Sequence, residues 1–475
     1  MQNNIDQINE RERERERESF RQLHNFVLPK QNKQIIYYAL IWLFFIGFTT
    51  WGIVINVQFL CTNKFQVTWK FNYFLITTII YLLINAIINY SLIIYIVDFI
   101  YYLAGGKQWI KIAKKLGEAN NDESEKVVFL YTVCNDFIPQ CLLQSMQQTY
   151  KNIKYIILDD STKPEKQDEI NQFCLTYNVT VFRRPATAKI YKTKKENVSY
   201  WLKNNVEHYD YVVVSEATGI INSNYVNTGV NILNNLPEQI CGITGTPGLI
   251  PRTSLFSRTM SFIDVSGNLN IDTTTIAQFS SALAVGFGGM FRFDIYKKIS
   301  EAADDASTID DSTISSLLTK NNYRVLYLNF LANCKSFPGY FIPLQNQRIK
   351  WALGMGRALR KHETDLIHTN KPSLSNHFLL KTLWVFYYGF AILIPGLILF
   401  EVSLMLIPDI YLSWWKFALY PYLLPLGILI GLFSAVMLFS QVKFKQFYKP
   451  IFGLILTGLF YTAIGPYLCF YFLKS

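Results

Sequence analysis

Acidic and hydroxyl side chains stand directly after two apolar segments of the chain, in positions suited to binding chemistry. Asp159 and Asp160 follow one predicted strand, and Glu216 and Thr218 follow another. A carboxylate at the end of a strand can accept hydrogen bonds from a ribose or a base, or bind a metal ion. One carboxylate and one hydroxyl make a weaker set of ligands for a divalent cation than two carboxylates do. Either motif alone is also typical of an ordinary turn, where acidic residues are common.

A third acidic pair, Asp310 and Asp311, opens a predicted helical stretch that ends near Leu318. Asp310 is expected to cap the helix, because an acidic residue at a helix start stabilises the N–H groups that have no helical partner. Asp311 could instead face the site and act as a general base.

Two further segments combine glycine or cationic residues with aromatic ones. Residues 286–292 contain three glycines, which either let the backbone approach a sugar or phosphate closely or mark a tight bend. Residues 347–361 begin with Gln-Arg-Ile-Lys-Trp and continue as a pattern with one apolar face and several cationic residues. That pattern is typical of a helix at a membrane interface, which is an explanation without catalysis.

The acidic motifs lie in a region where predicted strands alternate with predicted helices. Short apolar strands separated by helices predict an α/β fold, with a parallel sheet and helices on both of its faces. Ligands bind outside the carboxyl ends of the strands in such sheets, which is where Asp160 and Glu216 stand. The predicted strands cover residues 127–133, 155–158, 179–182 and 209–214, and the predicted helices cover 139–149, 168–177 and 192–204.

The chain as a whole is unusually apolar, since 51% of its 475 residues are hydrophobic and only 17% are charged. A soluble domain could not bury so much apolar surface. A helix that spans a bilayer needs about 20 apolar residues. Five uncharged stretches come close to that length or exceed it and are predicted to span a membrane: 34–63, 71–97, 382–400, 417–442 and 450–473.

The distribution of lysine and arginine predicts the orientation of these spans in the plasma membrane. Positive residues precede the first span, follow the second and lie between the fourth and fifth, which places these segments in the cytosol. The same rule explains the net charge of +11 without nucleic acid. The predicted units are a polar tail, two spans, a cytosolic domain, an interfacial helix region and three spans, at residues 1–33, 34–104, 106–345, 346–376 and 378–475.

Cysteine and histidine give no sign of a zinc site in this sequence. The seven cysteines show no CxxC pairing, and the five histidines are scattered along the chain. The cysteines are interpreted as packing residues, since thiols stay reduced in the cytosol.

In their order and spacing, these elements resemble the membrane-bound family-2 glycosyltransferases, which include the cellulose, hyaluronan and poly-N-acetylglucosamine synthases. The resemblance runs from about residue 127 to residue 361, and the predicted spans on both sides fit the plan of that family. It implies a nucleotide-sugar-binding, GT-A-like cytosolic domain inserted between transmembrane helices, two before it and three after it. The implied reaction is an inverting transfer of a sugar, from a UDP-sugar donor, to a growing polysaccharide or a lipid-linked acceptor.

The resemblance also implies roles for individual residues. Asp311 corresponds to the catalytic base, and Glu216 and Thr218 correspond to the ligands of a Mg²⁺ or Mn²⁺ ion. The acidic motif after the second strand matches the family's nucleotide-binding motif, and residues 347–351 match its Gln-x-x-Arg-Trp motif. The implied donor-binding residues are Asn135, Asp136, Asp159, Asp160, Lys192, Gln347, Arg348, Lys350 and Trp351.

Three positions depart from the family pattern. Thr218 replaces the second metal-binding carboxylate, Lys194 stands where glycine is expected, and Lys350 replaces an arginine. These departures leave open a nucleotide-sugar-binding protein without catalytic activity, a pseudoglycosyltransferase. A transporter with a soluble regulatory domain is a second alternative. The sequence disfavours it, because the ionisable residues of the predicted spans are limited to Asp98 and Glu401 near span ends, and a transport site needs more.

Overall fold

The computed structural model describes residues 123–185, 194–249, 288–302 and 321–335 without gaps. It also describes residue 187, most of 313–318, and single helical residues at 115 and between 35 and 54. Within these ranges the chain forms an eight-stranded sheet with helices packed against it.

The strands of the sheet are β1 (Val127–Val133), β2 (Ile153–Asp159), β3 (Thr180–Phe182), β4 (Tyr211–Glu216), β5 (Gly219–Ile221), β6 (Ile240–Leu249), β7 (Gly289–Arg292) and β8 (Arg324–Lys335). Their spatial order is β3-β2-β1-β4-β7-β6-β8-β5. The first four strands pair in parallel. β7 runs antiparallel to β4 and β6, and β5 runs antiparallel to β8. The predicted parallel arrangement is therefore confirmed for β1 to β4, while the whole sheet is mixed.

The described helices with full boundaries are α1 (Pro139–Ser145), α2 (Pro164–Tyr177), α3 (Lys194–Asn204), α4 (Tyr225–Asn234) and α5 (Phe293–Ala302). They cover both faces of the sheet, as predicted. Successive strand residues point to opposite faces, and β1 shows the consequence. Phe129 and Tyr131 pack in one core with α2 and α4, whereas Val128 and Leu130 pack in the other core with α3 and α5.

The uninterrupted apolar run of β1 reflects this burial on both faces. All seven residues of the strand are buried, which is typical of a central strand in a sheet covered by helices. The predicted boundaries of β1 are confirmed at both ends. The α/β prediction is thereby confirmed for the part of the chain that the structure describes.

Helix α1 is shorter than predicted, ending at Ser145 instead of continuing to residue 149. The chain after it turns toward the segment that follows β5. The Gln148 side-chain amide donates to the carbonyl of Asn222 at 2.9 Å, and the backbone N–H of Thr149 donates to the carbonyl of Ser223 at 2.8 Å. These long-range hydrogen bonds replace the last helical turn that the local sequence favours.

Helix α2 begins four residues earlier than predicted, at Pro164. Proline fits the first position of a helix because its fixed φ is helical and it has no N–H to leave unpaired. The helix ends before Asn178, which adopts a left-handed conformation with a φ of 53°. That conformation closes the helix with a backbone hydrogen bond to Cys174 and leads into β3.

No helix among the residues that the structure describes is long and apolar enough to cross a membrane. Four of the predicted spans, at 71–97, 382–400, 417–442 and 450–473, lie outside the described residues. Of the predicted span at 34–63, the description covers separate helical residues between 35 and 54. The polar tail and the interfacial helix region at 346–376 also lie outside it.

Candidate functional site

The turns that follow β1, β2 and β4 meet at one edge of the sheet. The parallel register sets Asp159 opposite Val133 and Glu216 opposite Thr132, so the three strands end at nearly the same level. Backbone hydrogen bonds extend this alignment past the strand ends, from Asp160 to Val133 at 2.9 Å and from Ala217 to Thr132 at 3.1 Å. The acidic motifs that the sequence places after separate strands therefore lie at the same edge of the sheet, on either side of the turn that follows β1.

Asn135 joins the turn after β1 to the turn after β2. Its backbone is left-handed, with a φ of 62°, and its N–H donates to Ser161 Oγ at 3.0 Å. Its side-chain oxygen accepts the N–H groups of Thr162 and Lys163, each at 3.0 Å, and its amide nitrogen donates to Thr162 Oγ1 at 3.1 Å. These contacts hold the entry to α2, so the geometry gives Asn135 a positioning role at the edge of the site.

Asp159 is bonded to the arginine that directly follows β3. Its carboxylate is fully enclosed, and Oδ2 accepts a hydrogen bond from Arg183 Nε at 2.6 Å. Its Oδ1 accepts the backbone N–H of Ser161 at 2.8 Å. The same guanidinium donates to Asn171 and to the carbonyl of Gln167 on α2. Asp159 thus links β2, β3 and α2, and its direct contact with a ligand stays a prediction.

Asp160 is bonded to the next arginine in the chain. Arg184, which is fully enclosed, donates to it from Nε and Nη2, with the shortest distance being 2.6 Å. Arg184 Nη1 also lies 2.5 Å from Glu196 Oε2 on α3. Burial alone would lower the pKa of Arg184, but the hydrogen bonds and charges of Asp160 and Glu196 outweigh burial and raise it. The guanidinium therefore stays charged, and Asp160 sits at the site edge as a carboxylate with a fixed orientation.

Asp136 and Glu216 are close enough to influence each other's charge. The pKa of Asp136 is raised, mainly because its carboxylate has lost solvent and additionally because Glu216 is negative. The backbone N–H of Cys134, which donates to Asp136 Oδ1 at 2.7 Å, acts in the opposite direction. Asp136 and Glu216 thus form an acidic patch between the ends of β1 and β4.

Lys194 brings a positive charge to this patch. Its Nζ lies 3.2 Å from Glu216 Oε1, which joins the first residue of α3 to the last residue of β4. The side chains are 18% and 29% exposed, respectively. The pair is accordingly less screened by water than an ion pair on an open surface.

The residues around Glu216 fit a divalent cation poorly. Thr218 offers a hydroxyl where a second carboxylate is expected, and the Lys194 ammonium already contacts the Glu216 carboxylate. A divalent cation bound there would meet this positive charge at short range. Among the residues that the structure describes, no group of three or more His, Cys, Asp or Glu side chains could hold a metal ion.

The glycine-rich segment reaches the same edge of the sheet through Gly288. This residue adopts a φ of 72°, and its N–H donates to the carbonyl of Val214 in β4 at 2.8 Å. The buried hydroxyl of Tyr225 donates to the Gly288 carbonyl. A left-handed bend just before β7 explains why glycine stands at this position. Gly286 lies outside the described residues.

Several predicted site residues cannot be placed against this edge, because they lie outside the part of the chain that the structure describes. They are Lys192, Asp310, Asp311, Gln347, Arg348, Lys350 and Trp351. Conversely, the structure adds Arg183, Arg184 and Lys194 as charged partners of the predicted carboxylates, and Glu196 as a second partner of Arg184. The position of Arg183 and Arg184 directly after the predicted strand 179–182 indicates these two in the sequence, but it does not indicate which carboxylates they contact.

Comparisons with known proteins give distant likenesses. No protein-family model matches the chain, and no curated protein matches it. Among solved structures, the chain is similar to S. aureus TarS, with 13% identity over 57% of this chain and 43% of that chain and a TM-score of 0.34. The alignment therefore spans less than half of that protein. TarS 1-349 in complex with UDP-GlcNAc has 12% identity over 58% of this chain and 81% of that chain, with a TM-score of 0.37.

A third similar structure is mannosyl-3-phosphoglycerate synthase from Rubrobacter xylanophilus. It has 10% identity over 55% of this chain and 85% of that chain, with a TM-score of 0.36. Likenesses at this level are too distant to assign an activity to this chain.

Proposed function

We propose that this chain is a membrane-embedded, inverting glycosyltransferase that uses a nucleotide sugar, for which a UDP-sugar is the expected donor. The acceptor is a growing polysaccharide or a lipid-linked saccharide. The observation that carries the proposal is the meeting of the turns after β1, β2 and β4 at one sheet edge. It places the acidic motif at Asp159 and Asp160 and the second acidic motif at Glu216 at the same edge, on either side of the turn that follows β1.

Parallel α/β sheets bind ligands outside the carboxyl ends of their strands, and this edge has the charged groups that such a ligand needs. Arg184 fixes the direction of the Asp160 carboxylate. A carboxylate held in this way can accept hydrogen bonds from the polar groups of a nucleoside. Asn135 holds the two neighbouring turns together, so that the nucleotide meets a formed surface and little ordering is needed on binding.

The chemical step assigned to this site is a direct displacement at the anomeric carbon of the donor. Asp311 removes the proton of the acceptor hydroxyl as its oxygen attacks, and the bond from the anomeric carbon to the diphosphate breaks. Trp351 stacks on the acceptor sugar, and Lys350 faces the diphosphate, as the resemblance to family-2 enzymes implies. The five predicted spans hold the domain at the cytosolic face of the membrane and provide a path for the product.

A second candidate is the pseudoglycosyltransferase, which keeps the nucleotide-sugar site and has no turnover. The contact between Lys194 and Glu216 favours it, because this contact engages the carboxylate that the family uses for a metal ion. Both candidates bind the donor, but the glycosyltransferase forms a product and the pseudoglycosyltransferase does not.

The deciding experiment incubates the purified full-length chain in lipid vesicles with a panel of nucleotide sugars. Release of free nucleoside diphosphate and incorporation of labelled sugar are measured together with binding of each donor. Turnover of one donor supports the enzyme, and saturable binding without release supports the pseudoenzyme. A chain that neither binds nor consumes any nucleotide sugar contradicts both.

A further inference from the structure

Lys194 stands where the family pattern has glycine, and the resemblance places a metal ion nearby, at Glu216 and Thr218. It begins α3, and its Nζ lies 3.2 Å from the Glu216 carboxylate at the end of β4. The substitution of threonine at position 218 removes one negative charge from the same turn. The site has thus gained a positive side chain and lost a negative one relative to the family pattern.

These two changes have one chemical consequence. A divalent cation prefers several oxygen ligands, and the charge of those ligands sets much of its affinity. At this turn the carboxylate of Glu216 already contacts an ammonium group, and Thr218 contributes an uncharged oxygen. The positive charge that a cation would bring is therefore already part of the protein.

We propose that Lys194 supplies to the donor diphosphate the positive charge that the resemblance assigns to Mg²⁺ or Mn²⁺. This inference rests on the proposed glycosyltransferase function. Glu216 acts as the positioning partner, since it holds the ammonium at the sheet edge beside the turn that follows β1.

The transfer breaks one bond to the anomeric carbon and forms another. The bond between the anomeric carbon and the diphosphate oxygen breaks, and its electron pair stays with that oxygen. The acceptor oxygen forms the new bond to carbon, and its proton passes to Asp311. The leaving nucleoside diphosphate gains one negative charge, which the positive charge of Lys194 stabilises.

The first test is a chelator titration of the purified full-length chain in vesicles, with the donor that the nucleotide-sugar panel identifies. We expect turnover to stay within about twofold when EDTA removes divalent ions, because no step depends on them. Loss of turnover in EDTA, with recovery on addition of Mn²⁺ or Mg²⁺, overturns the role of Lys194 and leaves the glycosyltransferase function intact. Absence of turnover with every donor and ion contradicts the function itself, and the role of Lys194 with it.

The second test compares variants of one helix. Lys194→Met should lower kcat by about 10²–10³-fold, the usual effect of removing one group that stabilises developing charge. Lys194→Arg keeps the positive charge and should retain most of the turnover. Lys203→Met is the control, because Lys203 is an exposed residue in the last turn of the same helix.

The pattern across these variants distinguishes a role of Lys194 in turnover from a role in folding alone. If Lys194→Met is folded in a thermal melt and keeps full turnover, the inference is wrong. If Lys194→Met does not fold, Lys194→Arg and the chelator titration still test whether Lys194 replaces the metal ion. In that case full turnover of the arginine variant in EDTA supports the inference, and dependence of the arginine variant on Mn²⁺ contradicts it.

Discussion

Arg184 Nη2 lies 2.6 Å from Asp160 Oδ2, in a contact that is almost completely shielded from water. The same arginine reaches Glu196, so one buried cation is paired with two carboxylates from different parts of the fold. Removing one partner of a buried ion pair leaves the others without compensation and is far more costly than removing an exposed pair.

Arg184→Met should therefore lower the free energy of unfolding by about 3–5 kcal/mol. Arg183→Met is the comparison, and it should cost less because it leaves one carboxylate without its cation where Arg184→Met leaves two, and because the Arg183 side chain is 31% exposed. Urea titration of the purified chain measures both values. Equal losses in the two variants would contradict the assignment of the larger electrostatic role to Arg184.

Two substitutions of Asn135 distinguish the contribution of its backbone conformation to stability from the contribution of its side-chain hydrogen bonds. Asn135→Ala loses the side-chain bonds to Thr162 and Lys163 and keeps a left-handed backbone that alanine tolerates poorly. We expect a loss of about 1–3 kcal/mol in the free energy of unfolding. Asn135→Gly loses the same bonds without the conformational cost and should be more stable than the alanine variant by about 1 kcal/mol.

The measurement for both Asn135 variants is again unfolding by urea, combined with donor binding. If Asn135 contacts the nucleotide instead of holding the turns, the glycine variant will bind the donor weakly while its stability is nearly that of the parent chain. Parallel losses of stability and binding agree with the positioning role.

The raised pKa of Asp136 predicts that the stability of the chain depends on pH. Its pKa in the folded chain is raised above the ordinary value of 3.8, so ionising it costs more in the folded state than in the unfolded state. The penalty is absent below the unfolded pKa and is complete once the pH has risen through the folded pKa. Asp136→Asn should therefore stabilise the chain at pH 7, and the advantage should disappear as the pH falls toward 3.8.

Unfolding of the parent chain and the Asp136→Asn variant between pH 4 and pH 8 checks this expectation. Asp168→Asn is a suitable control, since Asp168 is a carboxylate on α2 away from the acidic patch. A variant that is less stable than the parent chain at neutral pH would mean that the hydrogen bond from Cys134 outweighs the lost solvent.

The catalytic base is tested by a pair of adjacent substitutions. Asp311→Asn should lower turnover by about 10²–10⁴-fold, the usual contribution of a general base, and leave donor binding nearly unchanged. Asp310→Asn should have a smaller effect if that residue caps the helix. Release of nucleoside diphosphate and donor affinity are measured for both variants, and near-normal turnover of Asp311→Asn refutes the assignment.

The orientation of the spans is tested by single cysteines at positions 411 and 443, which the charge distribution places on opposite sides of the membrane. An impermeant thiol reagent applied to intact cells should label the cysteine that replaces Tyr411 and leave the one that replaces Lys443 unmodified. Labelling of the second position alone would reverse the orientation. The parent chain, treated in the same way, controls for its native cysteines.

The sequence predicts those parts of the fold that depend on local pattern. The boundaries of β1 follow from an apolar run that is buried on both faces. The alignment of the two acidic motifs follows from the general rule that parallel strands end at one edge. The sequence does not predict β7, because a strand of four residues that begins with glycine has no alternating pattern to identify it.

The partners of the site carboxylates could not be predicted from local pattern. Arg184 and Asp160 are 24 residues apart, and Lys194 and Glu216 are 22 residues apart. Such pairs depend on how helices and strands pack in three dimensions, and any of several nearby cations could have met each carboxylate. The sequence shows Lys194 as a departure from the glycine of the family pattern, but its contact with Glu216 is visible only in the structure.

Strand β3 is short, so the ion pairs that Arg183 and Arg184 form directly after it help to fix its register against β2. Three ladder positions alone do little to prevent an edge strand from sliding along its neighbour. Arg183 reaches α2 on one face of the sheet, and Arg184 reaches α3 on the other. A slip by one residue would turn each arginine toward the wrong face and leave both aspartates buried without a counter-ion. Charge thus selects the alignment of this edge strand, and insertion of one residue between positions 178 and 183 should be tolerated far less well than an insertion in an exposed turn.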